Sequence, residues 1–304
     1  MDRPHRSQLA TAFLVLTALV SCLLVLGCGQ DARAGSGAEG SLAGKLVLTG
    51  SSTVAPVASE IARRFEDKHP GTRVDVQTGG SSRGIADARS GVADIGMASR
   101  ALADDEVDLV AHTIAQDGIC LVVHGDNPVR GLDERQVVGI YTGAIRDWSE
   151  VGGDPGPITV VTKASGRATL EVFLDHFDLA EPDIDADVVI GDNQQGLKTV
   201  VGTPGAIAFV SIGAADYEAR QGSPIRLLAA GTVAPTSENV AVGLFPITRP
   251  LNLLTPDQPL SPLETAFLDF ALSSEVHDLI EAQFFVPATR PEQRAARHGT
   301  TPQG

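Results

Sequence analysis

Three short runs constrain this chain more than anything else in it: Gly50-Ser51-Ser52-Thr53, Gly79-Gly80-Ser81-Ser82-Arg83-Gly84 and Ser165-Gly166-Arg167-Ala168-Thr169. Each follows a strand-like apolar run and opens a helix-like one. The start of a helix leaves its first backbone N–H groups without intrahelical partners, and the aligned peptide dipoles add partial positive charge there. Hydroxyls and glycines beside such ends form a cradle of donors suited to a small oxyanion. Repeated strand-turn-helix units of this kind point to α/β architecture, in which ligands gather beyond the carboxyl ends of the strands.

The flanking pattern agrees. Leu46-Val47-Leu48 reads as a strand, Val57, Ile61 and Phe65 recur every four residues up to His69-Pro70-Gly71, and Val74 and Val76 alternate with polar residues. A helix over about 84–90 and a strand at Asp94-Ile95-Gly96-Met97 follow. A second unit of the same kind begins with Ile119 to Val123, a buried strand leaving the first lobe, and continues with strands at 158–162, 188–190 and 207–210. Strand character resumes at Val240 to Pro246 and Leu251 to Leu254. Ser261-Pro262-Leu263-Glu264 starts a helix with a capping box, and the last helices are expected at about 262–273 and 275–283. Asp104-Asp105-Glu106 reads as an acidic first helical turn.

At 304 residues with 43% hydrophobic composition, the chain is long enough for two cored domains. A formal net charge of −15 excludes a general nucleic-acid or anionic-membrane binder, which needs a broad field of Lys and Arg. A local anion cradle survives that charge, because screening limits exposed charges to about 8–10 Å.

The N-terminus reads as an address. Arg3 and Arg6 precede the apolar run from Leu9 to Leu26, and Val25-Leu26-Gly27-Cys28 resembles a bacterial lipobox with Cys28 as the lipidated residue. Cys22 is a second candidate, and an uncleaved membrane anchor is the alternative, since the run is about long enough for a bilayer core of ~30 Å. Residues 1–27 are therefore expected to be a signal peptide and 28–44 a flexible Gly/Ser-rich tether. That leaves Cys120, among apolar neighbours, as a buried strand residue rather than a nucleophile.

Duller and sharper readings compete at each site residue. Ser52, Ser81 and Thr169 are each also explained as helix N-caps worth about 1 kcal/mol. Arg83 and Arg100 are either anion ligands or ion-pair partners of Asp87 or Asp94. Gly80-Ser81-Ser82-Arg83-Gly84 satisfies the G-x-S-x-G pattern of serine hydrolases, but His112, His124, His176 and His277 lie in no local signature that would complete a triad. No H-E-x-x-H, C-x-x-C or Walker-type run is present, so neither a metal nor a nucleotide cofactor is expected.

Several dispersed motifs, in order, resemble the PstS phosphate-binding proteins, the substrate-binding components of ABC phosphate importers. They are residues 48–56, 79–84, 94–100, 145–153, 204–210 and 245–251, within a span of about 45–289. The resemblance implies a type II periplasmic-binding-protein fold, two α/β lobes joined by a two-stranded hinge with the ligand in the cleft. Residues 45–123 would form the first part of lobe 1, 124–237 lobe 2, and 238–290 the return to lobe 1, with crossings near 121–125 and 236–242 and a disordered tail at 291–304. Inorganic phosphate would be held by Ser52, Thr53, Ser81, Ser82, Arg100, Gly166, Arg167, Ala168 and Thr169, with Arg83 and Lys163 as further candidates. The family's Gly-Ser-Gly-Thr is Gly166-Arg167-Ala168-Thr169 here, and its preceding Arg is Lys163, so Arg167 reads as a relocated guanidinium. Arg100 stands where some members place an Asp that accepts the proton of hydrogen phosphate. The implied partners are the membrane subunits of an ABC permease and, through Cys28, a membrane, for an exported monomer that faces the periplasm or the cell exterior. Binding of sulfate or molybdate, or service as a phosphate sensor or surface adhesin, are the alternatives.

Overall fold

The computed structural model describes residues 42–288. Cys28, the expected leader, most of the tether and the tail lie outside the described residues. The first half alternates strand and helix: β1 (Gly44–Gly50), α1 (Ala55–Lys68), β2 (Thr72–Thr78), α2 (Ser81–Ser90) and β3 (Ile95–Ala98), followed by the long β4 (Leu109–His124). The second half comprises β5 (Gly131–Leu132), α3 (Glu134–Tyr141), β6 (Thr159–Lys163), α4 (Ala168–Phe177), β7 (Val188–Ile190), α5 (Asn193–Gly202), β8 (Ala206–Ser211), α6 (Ile212–Arg220), β9 (Ile225–Leu227), β10 (Ala229–Ala230) and α7 (Ser237–Ala241). The chain then returns through β11 (Thr248–Pro256), α8 (Pro262–Ala271), α9 (His277–Ala282) and β12 (Val286–Pro287).

One curled sheet runs through both halves in the order β2-β1-β3-β11-β4-β8-β6-β7. β1 is parallel to β2 and β3, whereas β11 runs antiparallel between β3 and β4. β4 changes partners along its length. Residues 109–118 pair with β11, and 119–123 pair with β8. Two hydrophobic cores lie on either side of that change. Leu48, Ile61, Phe65, Met97, Leu253 and Phe267 belong to the first; Val122, Tyr141, Phe173, Phe209 and Val210 belong to the second, where Phe173 stacks on Phe209 with centroids 4.1 Å apart. Cys120 is buried in β4, and desolvation raises its thiol pKa, so it stays protonated.

The structure departs from the sequence pattern in a few places. Val240 to Pro246 is not a strand: Thr236 caps α7 through its hydroxyl on the Asn239 N–H, Gly243 turns at φ +69°, and Val242 and Leu244 face solvent. Alternating apolar residues mimicked a strand, but only Val240 of that alternation reaches a core. It packs in the second core with Phe245 and Ile247, so the return to the first half falls at β11 rather than near 236–242. Residues 104–106 form turns, and the Glu106 carboxylate accepts the Ala103 N–H instead of opening a helix. α2 starts at Ser81, three residues ahead of the expected position.

Candidate anion-binding site

The three loops converge where the two halves meet, each for a local reason. In the first, the Ser51 hydroxyl accepts the N–H groups of Thr53 and Val54, turning the chain from β1 into α1. In the second, Gly80 holds φ +98°, and a Cβ there would meet Gly166 O at 2.8 Å and Arg167 Cδ at 3.1 Å. Only glycine lets the third loop approach so closely. α2 and α4 both begin without a side-chain cap, so the donors at their first turns are not consumed by a local hydroxyl or carboxylate.

Seven of the expected residues line one small cavity: Ser52, Thr53, Ser81, Lys163, Arg167, Ala168 and Thr169. Ser51, Gly80, Ser99, Gly191 and Asp192 complete the wall. Its free volume is about 10 Å³, near the space of one water molecule. Ser81 does not cap its helix; its oxygen accepts the Ser99 N–H and so ties β3 to the site.

Behind this wall sits a cluster that sequence reasoning missed. Arg249 of β11 is 2% exposed and faces Asp117 of β4, its direct cross-strand partner. Its Nε and Nη2 donate to Asp117 Oδ2 at 3.1 and 2.8 Å. The remaining N–H groups go to hydroxyls: Thr169 at 2.8 Å, Ser99 at 3.3 Å and Thr53 at 3.3 Å. Asp117 Oδ1 is held in turn by the Ser211 hydroxyl at 3.0 Å and the Gly213 N–H at 3.4 Å. Thr53 Oγ1 accepts from both Arg249 and Asn193, so both its lone pairs are used and its own O–H is left to donate. A guanidinium that loads such hydroxyls from behind polarises them as donors toward the cavity.

Lys163 is the second buried cation, 3% exposed at the end of β6. Its Nζ donates to Asn193 Oδ1 at 3.0 Å and makes no ion pair. Burial, then the nearby positive charge of Arg249, lowers its pKa to about 7, with Asp192 opposing and Arg167 adding to the shift.

The structure does not bring the other expected residues to the cavity wall. Arg100 spans the cleft rim: Nη1 and Nη2 bond Glu106 at 2.7 and 2.9 Å, and Nε bonds Glu171 of α4 at 2.5 Å. The Glu106 hydrogen bonds and the Glu171 charge raise its pKa further. Burial pushes the Glu106 carboxyl up, but Arg100 and the Ala103 N–H outweigh it and hold it below its usual range. Ser82 also belongs to the rim, with its hydroxyl on Glu171 at 3.2 Å and its N–H on Gly166 O at 3.3 Å. Arg83 pairs with Asp87 on the exposed face of α2, one of the two partners the sequence suggested for it. Rim and floor bonds alike join the two halves.

A larger cavity of about 500 Å³, bordered by Leu121, Leu132, Phe177 and Phe245, shares no residue with this cluster and is mainly apolar. Among the described residues no group of His, Cys, Asp or Glu is arranged to hold a metal, and no helix is long and apolar enough to cross a membrane.

Comparison with known proteins bears on this geometry. Residues 35–275 match the PBP superfamily domain. The phosphate-binding protein PstS of Bacillus subtilis is 27% identical over 298 residues, 91% of this chain and 94% of that protein. A putative phosphate ABC transporter substrate-binding protein from Clostridium perfringens, solved with bound phosphate, superposes with a TM-score of 0.76 at 30% identity, over 81% of this chain and 100% of its own. An ABC-type phosphate transport receptor from Vibrio cholerae gives 0.67 at 31% identity, over 80% and 100%.

Proposed function

The chain belongs to the PBP superfamily, as a PstS-like phosphate-binding protein of the type II fold, and from that premise we propose that it captures inorganic phosphate outside the cytoplasmic membrane and delivers it to an ABC permease. This is a binding family and not an enzyme family, so Ser81 serves as a donor and not as a nucleophile. The observation that carries the reading is the small cavity where two uncapped helix starts, the hydroxyls of Ser52, Thr53, Ser81 and Thr169, and the cations Lys163 and Arg167 converge.

In the mechanism, the first half supplies Ser52, Thr53 and Ser81, which hold the anion in the open cleft. Closure adds the N–H groups at Ala168 and Thr169, the Thr169 hydroxyl and the planar fork of Arg167, which matches two oxygens of a tetrahedral anion. The ligand favours the closed state by the contacts it makes only there. Arg249 acts from behind, orienting the hydroxyls of Thr53, Ser99 and Thr169. Gly166, Ser82 and Arg100 serve closure at the rim. A lipid at Cys28 and the tether would keep the monomeric binding domain near its permease.

Calorimetric titration of the protein, stripped of endogenous ligand by partial unfolding and refolding, with phosphate, sulfate, arsenate and molybdate tests this. Tight phosphate binding with sulfate rejected is the expected outcome. Preferential sulfate or molybdate binding, or none of phosphate, overturns it. Arg167→Ala should weaken phosphate binding by about 2–5 kcal/mol, the cost of removing one partner of a buried charge pair. An unchanged Kd would remove Arg167 from the site.

A further inference from the structure

The cleft poses a chemical question about the proton that its guest carries. Hydrogen phosphate carries a P–O–H donor, and a buried donor without an acceptor costs about 1–3 kcal/mol. Arg100, where the resemblance implies an acceptor Asp in some members of the family, is turned to Glu106 and Glu171 at the rim. On the cavity wall, Thr53 already has both lone pairs engaged. Asp192 is the carboxylate on that wall, and both its oxygens hold the start of α5: Oδ1 accepts the Gln195 N–H at 2.8 Å and Oδ2 the Gln195 side-chain amide at 3.1 Å.

Lys163 remains. It is buried on the cavity wall, and its hydrogen-bond partner is a neutral amide oxygen, at 3.0 Å. Arg249 of β11 and Arg167 at the start of α4 face it with positive charge, Asp192 before α5 faces it with negative charge, and Asp117 of β4 is already matched to Arg249. A lysine in such surroundings loses its proton most readily of the cations here. As a neutral amine it presents a lone pair, which no guanidinium can.

We propose that the Lys163 amine is the proton acceptor of this site and thereby its selectivity determinant, receiving the P–O–H proton of hydrogen phosphate, which a fully deprotonated tetrahedral dianion such as sulfate does not carry. The inference rests on the phosphate reading above. The proton stays on the line between oxygen and nitrogen, so neutral amine with hydrogen phosphate and ammonium with the trianion hold the same number of protons. Sulfate brings none, and to bind equally well it must draw one from solvent onto Lys163. Burial and the flanking arginines place the amine's titration at about 7, so it is mostly neutral under mildly alkaline conditions.

The experiment is calorimetric titration of the wild-type protein at pH about 8 and about 9, in buffers of different ionisation enthalpy, which counts protons exchanged on binding. Phosphate should bind with no net proton uptake. Sulfate should take up about one proton, and the ratio of sulfate Kd to phosphate Kd should rise about tenfold per pH unit. Uptake of one proton with phosphate as well, or a ratio independent of pH, overturns the inference and leaves Lys163 a plain cation with Asp192 as acceptor. If sulfate is too weak to measure, the phosphate proton count decides alone. Absence of phosphate binding overturns the parent reading, and this one with it. Lys163→Arg, a donor that cannot accept, should still bind both ions but lose at least tenfold of the preference for phosphate; a preserved preference counts against the inference.

Discussion

Arg249 and Arg100 both bind carboxylates where the two halves of the molecule meet, and they do opposite things. Arg249 has one acid, Asp117, whose other oxygen is already held by Ser211 and Gly213; its remaining donors rest on three hydroxyls. Arg100 has two acids, Glu106 and Glu171, and its side-chain donors are spent on them and on the Ala101 carbonyl. The first arrangement is charge-neutral and leaves donors that act through hydroxyls on a guest. The second is net negative and lies at the rim, with Glu171 its most exposed member, and works as a clasp. Counting acids per guanidinium separates a site from a latch better than residue type does.

The strongest way to break this contrast is Asp117→Asn. It strands a buried guanidinium without its counter-charge and should cost about 3–5 kcal/mol of stability, measured by denaturant unfolding. A loss below about 1 kcal/mol would mean that Arg249 is solvated after all. Lys163 sharpens the comparison as a buried cation bonded to an amide oxygen and to no acid. The unfolded chain, with a lysine pKa near 10.5, binds more protons than the native state, with about 7. Stability of the ligand-free protein should therefore rise with pH across that window, and Lys163→Met should flatten the rise relative to wild type. A smaller effect is expected at the latch. Glu171→Gln should weaken phosphate binding by about 1 kcal/mol while leaving the unfolding midpoint nearly unchanged, because it loosens closure and not either core. Glu106, held below its usual range, contributes stability that is present above about pH 4.5 and is lost as pH falls through its lowered pKa, so acid should release the latch. Smallest of all, Arg83→Ala should alter affinity and stability by no more than about 0.5 kcal/mol, since its ion pair with Asp87 is exposed. A large loss of affinity would return Arg83 to the site.

What the sequence disclosed follows from what is local. Three turns, each defined by neighbouring residues, revealed the strand-loop-helix units and put Ser52, Thr53, Ser81 and Thr169 on one list, and those residues do share one cavity. Arg249 and Asp117 are 132 positions apart and sit in apolar strand contexts, so only the antiparallel register of β4 and β11 brings them together. A signal was available: a lone charge in the middle of an otherwise buried strand implies a partner. Arg100 failed for the converse reason. Its position after Ala98-Ser99 suggested the site, while its two acids lie 6 and 71 residues away, and the second comes from the other half. The false strand at 240–246 shows the limit of alternation, which marks a sheet only if one face has something to cover.

The ion pair of Arg249 and Asp117 also has a mechanical meaning. It bridges the two strands at the place where the sheet passes from one core to the other, with Thr53 and Thr169 hanging from it on opposite sides. Under the proposed function the load of a captured anion would be borne at this fulcrum, with the Arg100 clasp out on the lever arm. A fraction of an ångström yielded at the pivot becomes a larger excursion at the rim, where a docking partner would feel it. Under the proposed function, whatever pries the rim apart would gain leverage over the same joint.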